Sequence, residues 1–176
     1  MVVVAYDDRW PEQFCAIRSV LDQSLSRALR IEHVGSTAIP GMFAKPIIDI
    51  DVEIGDACDF DRTRDELQSI GYSHSGDQGI AGREAFRRDR NCCFRYLDDI
   101  KHHLYVCTSD CKEYQRHILF RDYLRKHGEA RDRYNRIKAE ILRRYGEENR
   151  EKYVSVKEAE YRWFFEGVIK KAECDG

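Results

Sequence analysis

Residues 34–54, VGSTAIPGMFAKPIIDIDVEI, restrict the possible folds of this chain more than any other segment. Three acids, Asp49, Asp51 and Glu53, alternate with apolar residues, and alternate side chains of a strand share one face. Neighbouring acids on that face lie about 6.5–7 Å apart, where two full charges repel by about 2.4 kcal/mol at an effective dielectric near 20. The sequence therefore predicts a strand whose acidic face requires a compensating partner. Since carboxylates suit hard divalent cations, the expected partner is Mg2+.

A glycine–serine turn precedes this strand. Gly35 can adopt a positive φ or allow a close approach, and Ser36 adds a hydroxyl beside backbone N–H groups. Alone, such a pair indicates only a turn at the end of a strand. Twelve residues separate Ser36 from Asp49, enough for a short helix before the chain re-enters as a strand. The combination predicts a polyphosphate at the turn, with its metal held by Asp49 and Asp51.

The overall composition sets limits on size, partners and location. The 176 residues predict a single domain, with a sheet-containing part at about 1–108 and a helical part at about 109–172. The net charge of −2 favours neither nucleic acid nor a membrane as a partner. No segment reaches the ~18 apolar residues of a membrane-spanning helix. The first ten residues, MVVVAYDDRW, lack the features of a signal peptide, so a cytoplasmic location is expected.

Seven cysteines raise the question of a zinc site. They form no C-x-x-C pair, and their odd number fits a closed disulfide framework poorly. His103, Cys107 and Cys111 are four residues apart, which would suit ligands on a helix, but HHLYVC is typical of a strand. The pattern favours scattered reduced thiols over a structural zinc site.

Hydrophobic periodicity and turn signals give the order of elements. The expected helices cover about residues 9–29, 59–70, 110–126 and 130–145, and a last helix has Val156, Ala159, Trp163 and Gly167 or Val168 on one face. The expected strands are about 30–34 and 46–54, an edge strand in EAFRRD, and two strands in CCFRYL and HHLYVC. This order predicts an α+β fold with a small mixed sheet and a C-terminal helical bundle.

The motif of an apolar residue, Gly-Ser, about a dozen residues and then D-x-D resembles that of the nucleotidyltransferase superfamily, which includes DNA polymerase beta. Further segments are similar to those of the GrpB family and extend the resemblance over roughly residues 6–170. They are IEHVGSTAIPGMFAKPIIDIDV, GYSHSGDQGIAGREAFRRD, HHLYV and HILFRDYLRKH.

This resemblance implies a nucleotidyltransferase-like fold, with Asp49 and Asp51 as catalytic acids and Mg2+ ligands. The family has no well-established reaction; its members often keep the first acid, which matches Asp49, while the second position, Asp51 here, can be non-acidic. Active members of the superfamily usually carry a third carboxylate on a later strand. Here the corresponding strand offers His102 or His103, and alternation places His103 on the face directed away from the core.

Basic residues supply the second half of a phosphate site. Lys45, His103, His117 and Arg121 are the expected phosphate-binding residues, together with Gly35 and Ser36, because cationic side chains bind phosphate oxygens. Four other basic residues are more typical of a solvated face: Arg83, Arg87, Arg88 and Arg125. Lys157, near Tyr153, could also reach the site. Trp163, Phe164 and Phe165 are expected to pack in the core.

Three functional hypotheses follow. The first is Mg2+-dependent nucleotidyl or phosphoryl transfer from a nucleoside triphosphate to an unknown acceptor. The second is a non-catalytic module that binds a nucleotide or another phosphorylated small molecule. A link with coenzyme A metabolism is implied by GrpB-like domains appended to some dephospho-coenzyme A kinases. The third is a protein-interaction domain that uses its helical bundle.

Overall fold

The computed structural model describes residues 3–89, 94–146, 155–156 and 159–175. Within them, a five-stranded mixed sheet is packed between helices. The helices are α1 (Trp10–Ser24), α2 (Phe60–Ser69), α3 (Arg95–Asp99), α4 (Lys112–Lys126), α5 (Gly128–Tyr145) and α6 (Arg162–Asp175). The strands are β1 (Ala28–Val34), β2 (Ile48–Ile54), β3 (Tyr72–His74), β4 (Arg83–Arg88) and β5 (His102–Thr108). The predicted α+β class is confirmed.

The strand with alternating acids lies inside the sheet. The strand order is β1-β2-β5-β4-β3, with β2 antiparallel to β1 and parallel to β5. The register places Asp49 between Val34 and His103, and Asp51 between Glu32 and Tyr105. The acids of β2 therefore have neighbours on both sides, which fixes their positions.

The apolar face of β2 forms the centre of the main core. Ile50, Val52 and Ile54 are at most 1% exposed and belong to the same cluster as Trp10 and Ile17 of α1. Helix α1 fits this face because its apolar residues recur at intervals of three and four, and Pro11 in its first turn costs no hydrogen bond. The acidic face of β2 is thereby directed toward α4.

A second core joins the segment after the glycine–serine turn to the C-terminal helices. Ile39 and Met42 are fully buried among residues of α4, α5 and α6. The side chain of Asn135 on α5 accepts a hydrogen bond from the Phe43 N–H (2.8 Å) and donates one to the Gly41 carbonyl (2.9 Å). The helical part therefore holds this segment in place.

Two predictions about strands are wrong. EAFRRD forms β4, which pairs with both β3 and β5, so it is an interior strand and not an edge. The end of CCFRYL, from Arg95 to Leu97, and the expected turn at Asp98 and Asp99 form the short helix α3, with the Leu97 side chain buried in the main core. Cys92 and Cys93 lie outside the described residues.

The buried face of the last helix also differs from the prediction. Trp163 (53% exposed) and Ala159 are exposed, whereas Val156 and Val168 are buried as expected, together with Phe164 and Ala172. Two apolar stripes overlap in the sequence of the last helix, one that includes Trp163 and one that starts at Phe164. The stripe that starts at Phe164 buries more apolar residues. No helix among the described residues is long and apolar enough to span a membrane.

The structure predicts that His33 makes stability depend on pH. Its ring is 6% exposed, stacks on Phe14 and lies 3.0 Å from the Thr37 hydroxyl, and burial lowers its pKa to about 4. Because the unfolded chain binds this proton near pH 6.5, stability is lost as the pH falls from 6.5 toward 4. We expect the burial of His33 to lower the free energy of unfolding by about 2 kcal/mol when the pH falls from 7.5 to 5.

Urea unfolding of the wild type and of His33→Gln at both pH values measures this effect. Other titrating groups cancel in the comparison, so the variant should lose about 2 kcal/mol less stability on acidification. The same pH dependence in both proteins would contradict the assignment.

Candidate functional site

The glycine–serine turn lies directly against the first acid of β2. Gly35 has φ 70° and ψ −168°, and Ser36 begins a short 3-10 helix, Ser36–Ala38. A Cβ atom at Gly35 would collide with Oδ2 of Asp49. Only glycine allows this approach, since the backbone conformation and the space both exclude a side chain.

Each acid of β2 has a partner on the side facing α4. Asp49 Oδ1 lies 2.9 Å from His103 Nδ1, Asp51 Oδ2 lies 2.7 Å from His117 Nδ1, and Glu53 accepts a hydrogen bond from the Tyr114 hydroxyl. Asp51 is completely buried, whereas the Asp49 side chain is one-third exposed. Alternation along the strand thus orients the acids as predicted, with Asp49 at the surface and Asp51 behind it.

His117 lies between two carboxylates. Its Nδ1 contacts Asp51, and its Nε2 lies 3.4 Å from Glu113 Oε1. Burial lowers the pKa of His117, but the hydrogen bonds and charges of Asp51 and Glu113 outweigh that effect and raise it to about 10. His117 is therefore a cation at neutral pH and supplies part of the charge compensation that the acidic face requires.

The remaining carboxylate oxygens fit Mg2+. Oδ1 of Asp51 is buried and has no hydrogen-bond partner among the described residues, which is costly unless a cation or water binds it. Asp49 provides a second oxygen donor, next to the turn. The described part of the chain contains no cluster of three metal-ligating side chains. A Mg2+ ion here would take two protein carboxylates and complete its shell with phosphate and water, as this ion commonly does.

Two pockets meet at Ser36 and Asp49. The smaller, of about 180 Å³, is also lined by Lys45, His103 and Lys138. Val3 lines it as well, and the next residue, Val4, exchanges backbone hydrogen bonds of 2.8 and 3.0 Å with Ala44. The larger pocket, of about 610 Å³, is lined by aromatic, basic and acidic side chains, which include Arg116, His117, Phe120, Tyr134, Arg162, Phe165, Glu113 and Glu166.

Lys138 is a candidate residue that the sequence analysis missed. It is 3% exposed, and its Nζ donates to the Ser36 hydroxyl (2.7 Å) and to the Phe43 carbonyl (2.5 Å). It also lies 4.3 Å from the ring centroid of Tyr134. Its spacing gave a signal, because Lys138 falls four residues after Tyr134 and three before Ile141, within the apolar stripe of α5.

The structure brings most of the predicted site residues together. Six of them line the two pockets, and Asp51 lies behind the surface under His117. These six are Gly35, Ser36, Lys45, Asp49, His103 and His117. Opposite Asp51 on β5 stands Tyr105, so this strand provides no third carboxylate beside the first two.

Arg121 does not line either pocket. Its buried guanidinium donates to Glu32 (2.5 Å), to the His33 carbonyl (3.0 Å) and to Asp122 (2.7 Å). The contacts with Glu32 and the His33 carbonyl, both on β1, hold α4 against that strand. Tyr153 and Lys157 lie outside the described residues.

Comparison with known proteins connects this geometry to a family. A family model described as GrpB protein matches residues 1–167. The chain belongs to the GrpB family. UPF0157 protein YqkA of Bacillus subtilis is 31% identical over 140 residues, which cover 79% of this chain and 39% of that protein. UPF0157 protein BH1888 of Halalkalibacterium halodurans is 35% identical over 145 residues, 80% of this chain and 69% of that protein.

The chain thus spans well under half of the Bacillus subtilis relative. Part of it also matches a dephospho-CoA kinase of Mycolicibacterium paratuberculosis. The two are 38% identical over 74 residues, which cover 40% of this chain and 18% of the kinase.

Solved structures confirm the fold. The crystal structure of GrpB from Enterococcus faecalis has a TM-score of 0.79 and 30% identity, covering 97% of this chain and 98% of that one. Cid1, a poly(U) polymerase, in complex with its short product ApU has a TM-score of 0.50 and 13% identity, covering 76% of this chain and 41% of Cid1. The GrpB fold is therefore nucleotidyltransferase-like, as the sequence predicted.

We predict that Gly35→Ala disrupts the site through two separable effects. Gly146 has a similar backbone conformation, φ 75° and ψ 169°, but no atom of the described residues lies within 4 Å of a Cβ built there. Gly146→Ala therefore measures the backbone strain alone, on the order of 1–3 kcal/mol. Gly35→Ala adds the collision with Asp49, so we expect it to destabilise the protein by at least about 1 kcal/mol more, as measured by urea unfolding. Equal losses in the two variants would contradict the close approach.

Proposed function

We propose that this GrpB-family chain is a Mg2+-dependent nucleotidyltransferase that acts from a nucleoside triphosphate on an unknown acceptor. The observation that carries the proposal is the contact of the Asp49 carboxylate with the Gly35–Ser36 turn, where Lys138 reaches the Ser36 hydroxyl. Carboxylates that suit a metal and donors that suit phosphate thus meet at one point.

The smaller pocket would hold the phosphates. The Ser36 hydroxyl supplies a neutral donor, Lys45 and Lys138 supply cationic ones, and the His103 ring lines the same pocket. Lys138 now donates to two neutral oxygens, the Ser36 hydroxyl and the Phe43 carbonyl. A phosphate oxygen would be a stronger acceptor for its ammonium group, because hydrogen bonds between charged groups are about twice as strong as neutral ones.

Asp49 and Asp51 would hold the metal. When bound, Mg2+ would neutralise charge on the triphosphate oxygens. His103 orients the Asp49 carboxylate through Oδ1. His117 fixes Oδ2 of Asp51, which leaves Oδ1, without a partner among the described residues, as the oxygen that would bind the metal.

The larger pocket would accept the nucleoside. Its volume of about 610 Å³ lies within the range of about 300–1,000 Å³ typical of small-molecule sites. The rings of Phe120, Tyr134 and Phe165 provide apolar surface for a base. Arg162 lines the same pocket, as does Arg116, which is paired there with Glu166 (3.1 Å).

Calorimetric titration tests triphosphate binding. With Mg2+ present, we expect at least one of ATP, CTP, GTP and UTP to bind with a sub-millimolar Kd. Asp49→Asn and Asp51→Asn should each weaken binding by about tenfold or more, since each removes a charged metal ligand. The exposed Asp61→Asn on α2 is the matched control and should bind like the wild type.

Two results would reject the proposal. One is the absence of sub-millimolar binding for all four triphosphates, and the other is Mg2+-dependent binding that both site variants retain in full. Release of pyrophosphate on addition of candidate acceptors then tests the transfer step itself.

A second substitution tests the phosphate role of Lys138. We expect Lys138→Met to weaken triphosphate binding about tenfold or more, since a charge-assisted hydrogen bond contributes about 1.5–3 kcal/mol. Binding of the corresponding monophosphate should change much less, because its single phosphate makes fewer contacts at the turn. Circular dichroism and the Tm establish that the variant is folded, and equal weakening for both ligands would contradict the assignment.

A non-catalytic ligand-binding module is the second candidate function. Two observations favour it: Tyr105 stands where a third carboxylate would lie on β5, and part of the chain is similar to a dephospho-CoA kinase. Binding of dephospho-CoA by this site, without pyrophosphate release from any triphosphate, would favour the module over the transferase.

A further inference from the structure

A second pocket, on the far side of α6 from the candidate site, has its own chemistry. It lies between the end of α4, the start of α5 and α6, and its volume is about 650 Å³. We propose that this groove binds single-stranded nucleic acid through four basic side chains and an exposed tryptophan.

The charge of the groove differs from that of the chain as a whole. Lys126, Arg133, Arg136 and Lys171 line it and make no ion pair with a carboxylate of the described residues. Elsewhere arginines are typically paired, as in Arg18–Asp22 (3.3 Å). Glu129 is the one acidic residue among the described side chains that line the groove. The net charge of −2 therefore averages over a surface with a concentrated positive region, which attracts phosphates.

The groove also provides flat surfaces for stacking. Trp163 is 53% exposed, with the guanidinium carbon of Arg133 4.7 Å from its ring centroid. Gly167 follows one turn later, and a Cβ built there meets no atom of the described residues within 4 Å, so none of these residues fills the space at Gly167. At the other wall, Tyr123 and His127 stack with ring centroids 4.0 Å apart. When a base stacks on an exposed indole, the apolar surface of the ring is removed from water, which favours binding.

Single-stranded nucleic acid fits this combination best. Its phosphates need cations at intervals along a groove, and its unpaired bases stack on aromatic rings. A duplex hides its base faces and would leave Trp163 without a stacking partner.

The groove is separate from the candidate nucleotide site. Helix α6 presents Phe165 and Ile169 to the larger pocket of that site, and Trp163, Gly167 and Lys171 to the groove. The proposal therefore does not depend on nucleotidyl transfer, and the two sites can be tested independently.

Binding of a fluorescein-labelled single-stranded RNA of about 12 nucleotides, measured by anisotropy, tests the proposal. Arg136→Glu should weaken binding by about tenfold, whereas Arg143→Glu should not. Both positions are exposed on α5 and undergo the same charge change, but Arg143 does not line the groove. With about three phosphate contacts, the logarithm of the affinity should fall with the logarithm of salt concentration with a slope near −2.

Tryptophan fluorescence gives a direct readout of stacking. The chain has two tryptophans, and Trp10 is 1% exposed, so quenching by an unlabelled oligonucleotide would report on Trp163. Trp163→Ala should abolish the quenching and weaken binding by about tenfold. Equal binding by Arg136→Glu and Arg143→Glu, binding without quenching, or tighter binding of a duplex or of an acidic peptide would each overturn the proposal.

Discussion

The pairing of an acidic strand face with one helix is the constraint on which the rest of the structure depends. Three α4 side chains, Tyr114, His117 and Arg121, meet three acids of β1 and β2 in succession. Their spacing of three and four residues places them on one face of the helix. Buried carboxylates without such partners would cost several kcal/mol each, so these pairs let acids occupy the interior of the sheet.

In this arrangement the acids of β1 and β2 have two different roles, one structural and one at the candidate site, which the sequence pattern does not distinguish. Glu53 and Glu32 each accept a hydrogen bond from α4, while Asp49 stays partly exposed and Oδ1 of Asp51 has no partner among the described residues. The pairs of α4 with Glu53 and Glu32 fix the position of this helix, and α4 in turn holds His117 against Asp51. A rigid scaffold of this kind positions polar groups before a ligand arrives, which reduces the cost of binding.

Local patterns were sufficient to predict much of the candidate site. Alternation in β2 gave the common face of the acids, and the glycine–serine pair gave the turn, because both depend only on backbone geometry. Lys138 was missed because its role depends on α5 packing over residues 39–43, a contact about a hundred residues distant in sequence. Arg121 was expected at phosphate, but Glu32 on a neighbouring strand is its partner, and sequence spacing does not reveal which strands pair. The short helix α3 resembled a strand because its aromatic-rich sequence fits either state when only five residues long.

The exchange of hydrogen bonds between Val4 and Ala44 gives the amino-terminal segment a fixed path. That path brings Val3 to the rim of the smaller pocket, beside Ser36 and Lys45. A polypeptide joined upstream of this residue would emerge at the proposed phosphate entrance. Any neighbour attached there would be placed to shield incoming ligands or to deliver them.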